Sequence, residues 1–153
     1  MIEEQLRRIR CGEAPQLLES TWSKHFGRVC RGLNWERQSL EELQVIVSCI
    51  GGCGLASICK VLAEDYSGLA SGMPDLLLWR VISSNMSSSC CKCKEHDVRS
   101  SQLIGKAKLV EVKGPRDRLS EQQHAWIYIL MDAGIEVEVC KVLDQPISSK
   151  GSS

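Results

Sequence analysis

Two stretches of this chain carry residues that could do chemistry together. The first, Gly72-Met73-Pro74-Asp75-Leu76-Leu77-Leu78-Trp79, sets an aspartate between a proline and an almost unbroken apolar run. Proline can open a strand but not continue one, and an unbroken apolar run suits a strand covered on both sides, so Asp75 is expected at the mouth of a buried strand. The second stretch, Lys108-Leu109-Val110-Glu111-Val112-Lys113-Gly114-Pro115, alternates. A period of two puts Leu109, Glu111 and Lys113 on one exposed face while Val110 and Val112 turn toward the core. A carboxylate and an ammonium then stand side by side. When such strands pair so that Asp75 meets Glu111, the carboxylates make a hard-oxygen site for Mg²⁺ or Mn²⁺, which takes one or two carboxylates plus waters and substrate phosphate. A metal so held polarises a phosphodiester and lowers the pKa of water, and the lysine neutralises developing charge or positions the nucleophile. The predicted chemistry is phosphodiester hydrolysis, and an exposed Lys113 is expected to matter little for folding.

The loop Gly114-Pro115-Arg116-Asp117-Arg118 follows, and brings two guanidinium groups, Arg116 and Arg118, to the same place, where they could grip phosphates. Gln123 lies third after Ser120, a position at which a capping box alone accounts for it.

Joined in this order, Pro74-Asp75 and Glu111-Val112-Lys113 resemble the PD-(D/E)xK nuclease superfamily. The longer strings Gly72 to Leu76 and Val110 to Ser120, with Gln123 and Trp126, are similar to its VRR-NUC branch, and there to the C-terminal nuclease domain of the Fanconi-associated nucleases. The likeness reaches upstream through Leu33 to Arg37 and Val47 to Gly52, and downstream through Glu136 to Cys140, so it covers most of the chain. It implies a restriction-endonuclease-like α/β core with a mixed sheet flanked by helices. It also implies that Asp75, Glu111 and Val112 hold Mg²⁺ or Mn²⁺, that Lys113 is the catalytic lysine, and that Gln123 stands beside them. Branched or flap DNA would be the substrate, with 5′-flap endonuclease and 5′–3′ exonuclease activity in nuclear interstrand-crosslink repair, alongside other repair proteins. A further catalytic glutamate is implied on a helix well before the Pro-Asp strand, in a region preceding Met1. The expectation is a fragment lacking that helix and the first core strand, inactive alone, unless an internal acid such as Glu42 or Glu64 substitutes. A catalytically incomplete DNA-binding or protein-interaction module on the same fold is the alternative.

The elements that must position these groups can be read from the remaining sequence. At 153 residues the chain suits one domain burying roughly two thirds of its unfolded surface. Formal net charge is zero, which gives no basic footprint from which to argue DNA affinity. No apolar run approaches the roughly 20 residues of a membrane span, and the charged start is unlike a secretory signal, which predicts a soluble intracellular protein. Nine cysteines, an odd number, then suggest reduced thiols. Cys49, Cys59 and Cys140 are expected to pack as small hydrophobes. Cys90-Cys91-Lys92-Cys93 with His96 could hold zinc, making a small adaptor a third reading, but no second pair has the usual spacing.

Periodicity predicts helices over 2–10, with Arg7, Arg8 and Arg10 on a solvated face, and over 14–25. Ser39 with Glu42 forms a capping box that opens a further helix ending at Gly51-Gly52, and another runs over 55–66 to complete a helical hairpin. The intervening Gly51-Gly52-Cys53-Gly54 lacks the Lys-Ser/Thr of a phosphate loop and reads as a turn. These helices make a segment, 1–70, expected to pack on a nuclease core, 71–145. Within that core, residues 83–105 are an inserted loop, a helix starts after Ser120 with Trp126, Ile129, Leu130 and Ala133 facing in, and a strand covers 135–143. The tail 146–153 is expected to be disordered.

Overall fold

The computed structural model of the chain describes residues 1–29, 34–82 and 104–143. The elements are α1 (Ile2–Arg10), α2 (Ala14–His25), α3 (Leu40–Ile50), α4 (Gly52–Glu64), α5 (Tyr66–Leu69), a 3-10 turn (Ala70–Gly72), β1 (Leu76–Ile82), β2 (Ile104–Lys113), α6 (Glu121–Asp132) and β3 (Glu136–Lys141). In α1, Glu3 and Glu4 occupy the first turn and Arg7, Arg8 and Arg10 the last, matching the helix dipole. Arg7 pairs with Glu4 and Arg8 with Glu13, as a solvated face would. Both capping boxes form: Ser39 with Glu42 starts α3, and Ser120 with Gln123 starts α6.

The expected hairpin of α3 and α4 is instead an elbow. Only Gly51, at φ 82°, separates the two helices, and their axes bend by 103°. One residue in the left-handed region can turn the chain through about a right angle but leaves no loop with which to reverse it. The second helix also begins earlier than expected, at Gly52, where a Cβ would collide with the carbonyl oxygens of Ile9 and Arg10 at the end of α1. Backbone thus fills the space in front of this turn. It ends at Glu64 because the Asp65 side chain accepts a hydrogen bond from Gly68 N and caps the separate α5.

The three strands lie in the order β1-β2-β3. β1 runs antiparallel to β2, with Leu76 opposite Val110 and Ile82 opposite Ile104, and β3 runs parallel to β2, with Glu111 beside Val139. A parallel neighbour needs a crossover, and α6 is that crossover. The sheet is mixed and flanked by helices, as expected. β2 includes Ile104 and Gly105, which the sequence reading assigned to the inserted loop. The rest of that loop, 83–103, lies outside the described residues, as do the Cys90 cluster and the tail 146–153.

Ile58 of α4, Leu109 of β2, Trp126 and Leu130 of α6, and Ile135 form the core. Two burial expectations fail. β1, at the edge of the sheet formed by the described residues, is not covered on both faces: Leu76, Leu78, Trp79 and Val81 are about half exposed. On β2 the Leu109–Glu111–Lys113 face is not an outer face, because α6 packs across it: Leu109 and Glu111 are both buried, together with Val110. Cys49 is buried and Cys59 half-buried, and burial pushes both thiols upward; Cys140, on the edge strand β3, is exposed and does not pack. No single helix among the described residues is long and apolar enough to cross a membrane.

Candidate active site

Asp75 directly precedes β1. The register that pairs Leu76 with Val110 brings Asp75, one step further along the same antiparallel ladder, across from Glu111. Its Oδ2 accepts the Val112 backbone N–H at 2.8 Å. Val112 therefore serves the site through its main chain, between Glu111 and Lys113.

Glu111 is 1% exposed. Its Oε1 accepts from Gln123 Nε2 at 2.6 Å and from Lys113 Nζ at 2.9 Å. Its Oε2 is buried with no hydrogen-bond partner among the described residues. A carboxylate taken out of water with one oxygen unsatisfied is costly, and such groups generally mark a place where something else binds. Lys113, with a side chain 13% exposed, also reaches Gln123 Oε1 at 2.9 Å. The expectation of an exposed lysine with little part in folding is therefore corrected: α6 covers it, and its ammonium is the counter-charge of a buried carboxylate.

Gln123 is held from both ends. Its Oε1 accepts from Lys113 and, at 2.9 Å, from Ser120 N, and its own N–H donates to Ser120 Oγ at 3.2 Å. Two donors converge on one amide atom, so that atom is the oxygen and the nitrogen must face Glu111. The capping box accounts for Gln123 only in part; the same side chain joins the Glu111–Lys113 pair.

Arg116 and Arg118 lie exposed in the connection to α6. Asp117 Oδ2 accepts from Gly114 N at 3.0 Å and Asp117 N donates to Gly114 O at 3.2 Å, a tight turn that fixes where this connection leaves β2. Glu42 is occupied by its capping box and Glu64 lies 3.9 Å from Lys60 in the last turn of α4. Neither joins Asp75 and Glu111, and no three His, Cys, Asp or Glu side chains among the described residues come together as a metal-holding group. The donor set is thus two carboxylates, one carrying an unpartnered oxygen. That set suits a hard divalent cation whose remaining ligands are water and phosphate oxygens.

Gln122, Gly68, Leu69 and Ser71, which the sequence reading did not single out, frame this group together with Trp126. Gln122 Nε2 donates to Gly68 O at 3.0 Å, and its Oε1 accepts from Ser71 Oγ at 3.3 Å. Trp126 Nε1 donates to Leu69 O at 2.6 Å. These bonds span more than fifty residues of chain, so no local pattern carries them.

A family model described as the VRR-NUC domain matches residues 10–144. A Fanconi-associated nuclease 1 homolog from Oryza sativa subsp. japonica is 51% identical over 150 residues, covering 98% of this chain and 14% of that protein. Fanconi-associated nuclease 1 of Mus musculus is 37% identical over 154 residues, covering 98% of this chain and 13% of its own length. The chain therefore spans only a small part of these relatives. A crystal structure of paFAN1 bound to 2-nt 5′-flap DNA with a gap superposes with a TM-score of 0.65 at 22% identity, covering 94% of this chain and 23% of that one, a likeness of fold.

Proposed function

Because the chain belongs to the VRR-NUC domain family, we propose that it is the nuclease domain of a structure-specific DNA nuclease, one that hydrolyses phosphodiester bonds with Mg²⁺ or Mn²⁺. The observation that carries the reading is Glu111, fully buried with one oxygen unpartnered, across the strand pair from Asp75. Asp75 and Glu111 would hold the cation, beside the Val112 main chain. When bound, the cation would polarise the scissile phosphate and lower the pKa of water. Lys113 uses two of the three N–H bonds of its ammonium on Glu111 and Gln123. The third is directed to a phosphate oxygen or the attacking water, where a positive charge stabilises what develops in the transition state. Gln123 keeps the lysine and the glutamate in register. Arg116 and Arg118, exposed next to the site, bind flanking phosphates.

The paFAN1 structure of similar fold holds 5′-flap DNA, and we take 5′-flap DNA as the substrate here; 5′–3′ trimming, crosslink repair, repair-protein partners and a nuclear location belong to the same proposal, from the resemblance in the sequence. Residues 1–70 act as a helical segment packed on the nuclease core of 71–145. Incubation of the chain, or of a longer protein that contains it, with a 5′-flap duplex and Mn²⁺ or Mg²⁺ is the test. Metal-dependent cleavage lost in Asp75→Ala and Lys113→Ala is expected, and cleavage at an unchanged rate in both variants would overturn the assignment. The two-carboxylate donor set also favours a second reading, a DNA-binding module that kept the fold without full catalysis. It predicts DNA and Mn²⁺ binding with no cleavage.

A further inference from the structure

The connection that delivers Asp75 to the site is fastened to the same helical turn that holds Glu111 and Lys113. Gln123 faces β2, and its neighbour Gln122 faces the segment Gly68–Gly72. There the Gln122 amide bridges Gly68 O and the Ser71 hydroxyl. Gly72 lies so close that a Cβ on it would come within 2.8 Å of Gln122 Cβ and 2.9 Å of the Gln122 carbonyl carbon and oxygen. One turn further along α6, the fully buried Trp126 donates its indole N–H to Leu69 O. Only Met73 and Pro74 separate Gly72 from Asp75, and proline fixes its own φ. Little freedom remains between the fastened segment and the carboxylate.

We propose that Gln122 is a positioning residue, which, through Gly68, Ser71 and the close approach of Gly72, sets where Asp75 stands relative to Glu111. This inference rests on the reading of Asp75 and Glu111 as a cation site. Gln122 touches neither carboxylate, so it acts only through the segment it holds. The first turn of α6 then serves as one clamp for two parts of the site: Gln123 grips β2, and Gln122 grips the approach to β1.

The Val112 amide reports the position of Asp75 directly, because its N–H is donated to Asp75 Oδ2. Gln122→Met keeps the bulk against Gly72 and removes both amide bonds. Hydrogen exchange measured by NMR is expected to speed up at Val112 by about tenfold or more in this variant, while the Leu109 amide in the middle of the same strand keeps its protection. Mn²⁺ affinity measured on the same samples should fall by about fivefold or more, and Gln122→Glu, which keeps the acceptor for Ser71, should recover part of the Val112 protection. Unchanged exchange at Val112 in Gln122→Met would overturn the proposal, as would a uniform rise at Val112 and Leu109 alike, which marks simple destabilisation. If the wild type binds no Mn²⁺, the cation-site reading fails, while the Val112 exchange still decides whether Gln122 positions Asp75.

Discussion

Lys113 and Glu111 have a function and a stability consequence that separate on substitution. Lys113→Ala removes the counter-charge of a carboxylate that is 1% exposed, which costs on the order of 3 kcal/mol in urea unfolding. It should also lower flap cleavage about 10²- to 10³-fold. The double substitution Glu111→Gln, Lys113→Met is expected to regain most of the stability and none of the activity, a coupling that a double-mutant cycle measures. An additive cycle would remove the ion pair from the account. The placement of Asp75 just before β1 and of Glu111 and Lys113 on one face of β2 was legible in the sequence, from a proline and a period of two. The burial of Glu111 was not, since alternation tells which residues share a face and not which helix will lie across it. Thiol chemistry follows the same burial: iodoacetamide should label the exposed Cys140 and Cys11 faster than Cys49 and Cys59, because burial raises the latter two thiols and the thiolate is the nucleophile. Equal labelling rates would contradict it.

The elements show where local rules sufficed. Both capping boxes were readable from the four residues that make them, and both form. The elbow at Gly51 was not readable, because whether consecutive glycines make a loop or a one-residue corner depends on what α1 presses against Gly52. Gly105 in β2 is a similar case of close approach. A Cβ there would run into Cys49 Sγ of α3 and stand 2.9 Å from the Arg80 carbonyl oxygen of β1. Gly105→Ala is therefore expected to destabilise the fold by about 1–3 kcal/mol, read by urea denaturation. Adding Cys49→Ala should return only part of the loss, since the Arg80 carbonyl remains. A neutral Gly105→Ala would mean that α3 does not sit this close to the sheet.

Among the described residues, α4 and α6 pack on the Leu109 face of the sheet, and the strand expected to be covered on both faces stands at the edge of that sheet. The sequence of β1 reads as buried because its residues are apolar on both faces, yet a strand's own composition cannot say how many neighbours it has. An edge of the described sheet with Leu76, Leu78, Trp79 and Val81 about half exposed invites pairing with another chain. Sedimentation of this chain should show association that grows with concentration, and Leu76→Lys with Leu78→Lys should make it monomeric. A wild type that stays monomeric at high concentration would contradict that reading of the edge. DNA affinity, which zero net charge leaves unpredicted, is then local: removing Arg116 and Arg118 together should lower the slope of log affinity against log salt by about 2.

Titration calorimetry of Mn²⁺ into the chain tests the central claim most directly, because cation binding by Asp75 and the unpartnered oxygen of Glu111 requires no substrate and no turnover. The wild type should bind Mn²⁺, with affinity lowered at least about tenfold by Asp75→Asn and by Glu111→Gln in samples shown to be folded, a loss of about 1.4 kcal/mol or more in each. Equal Mn²⁺ affinity in the wild type and both variants would contradict it.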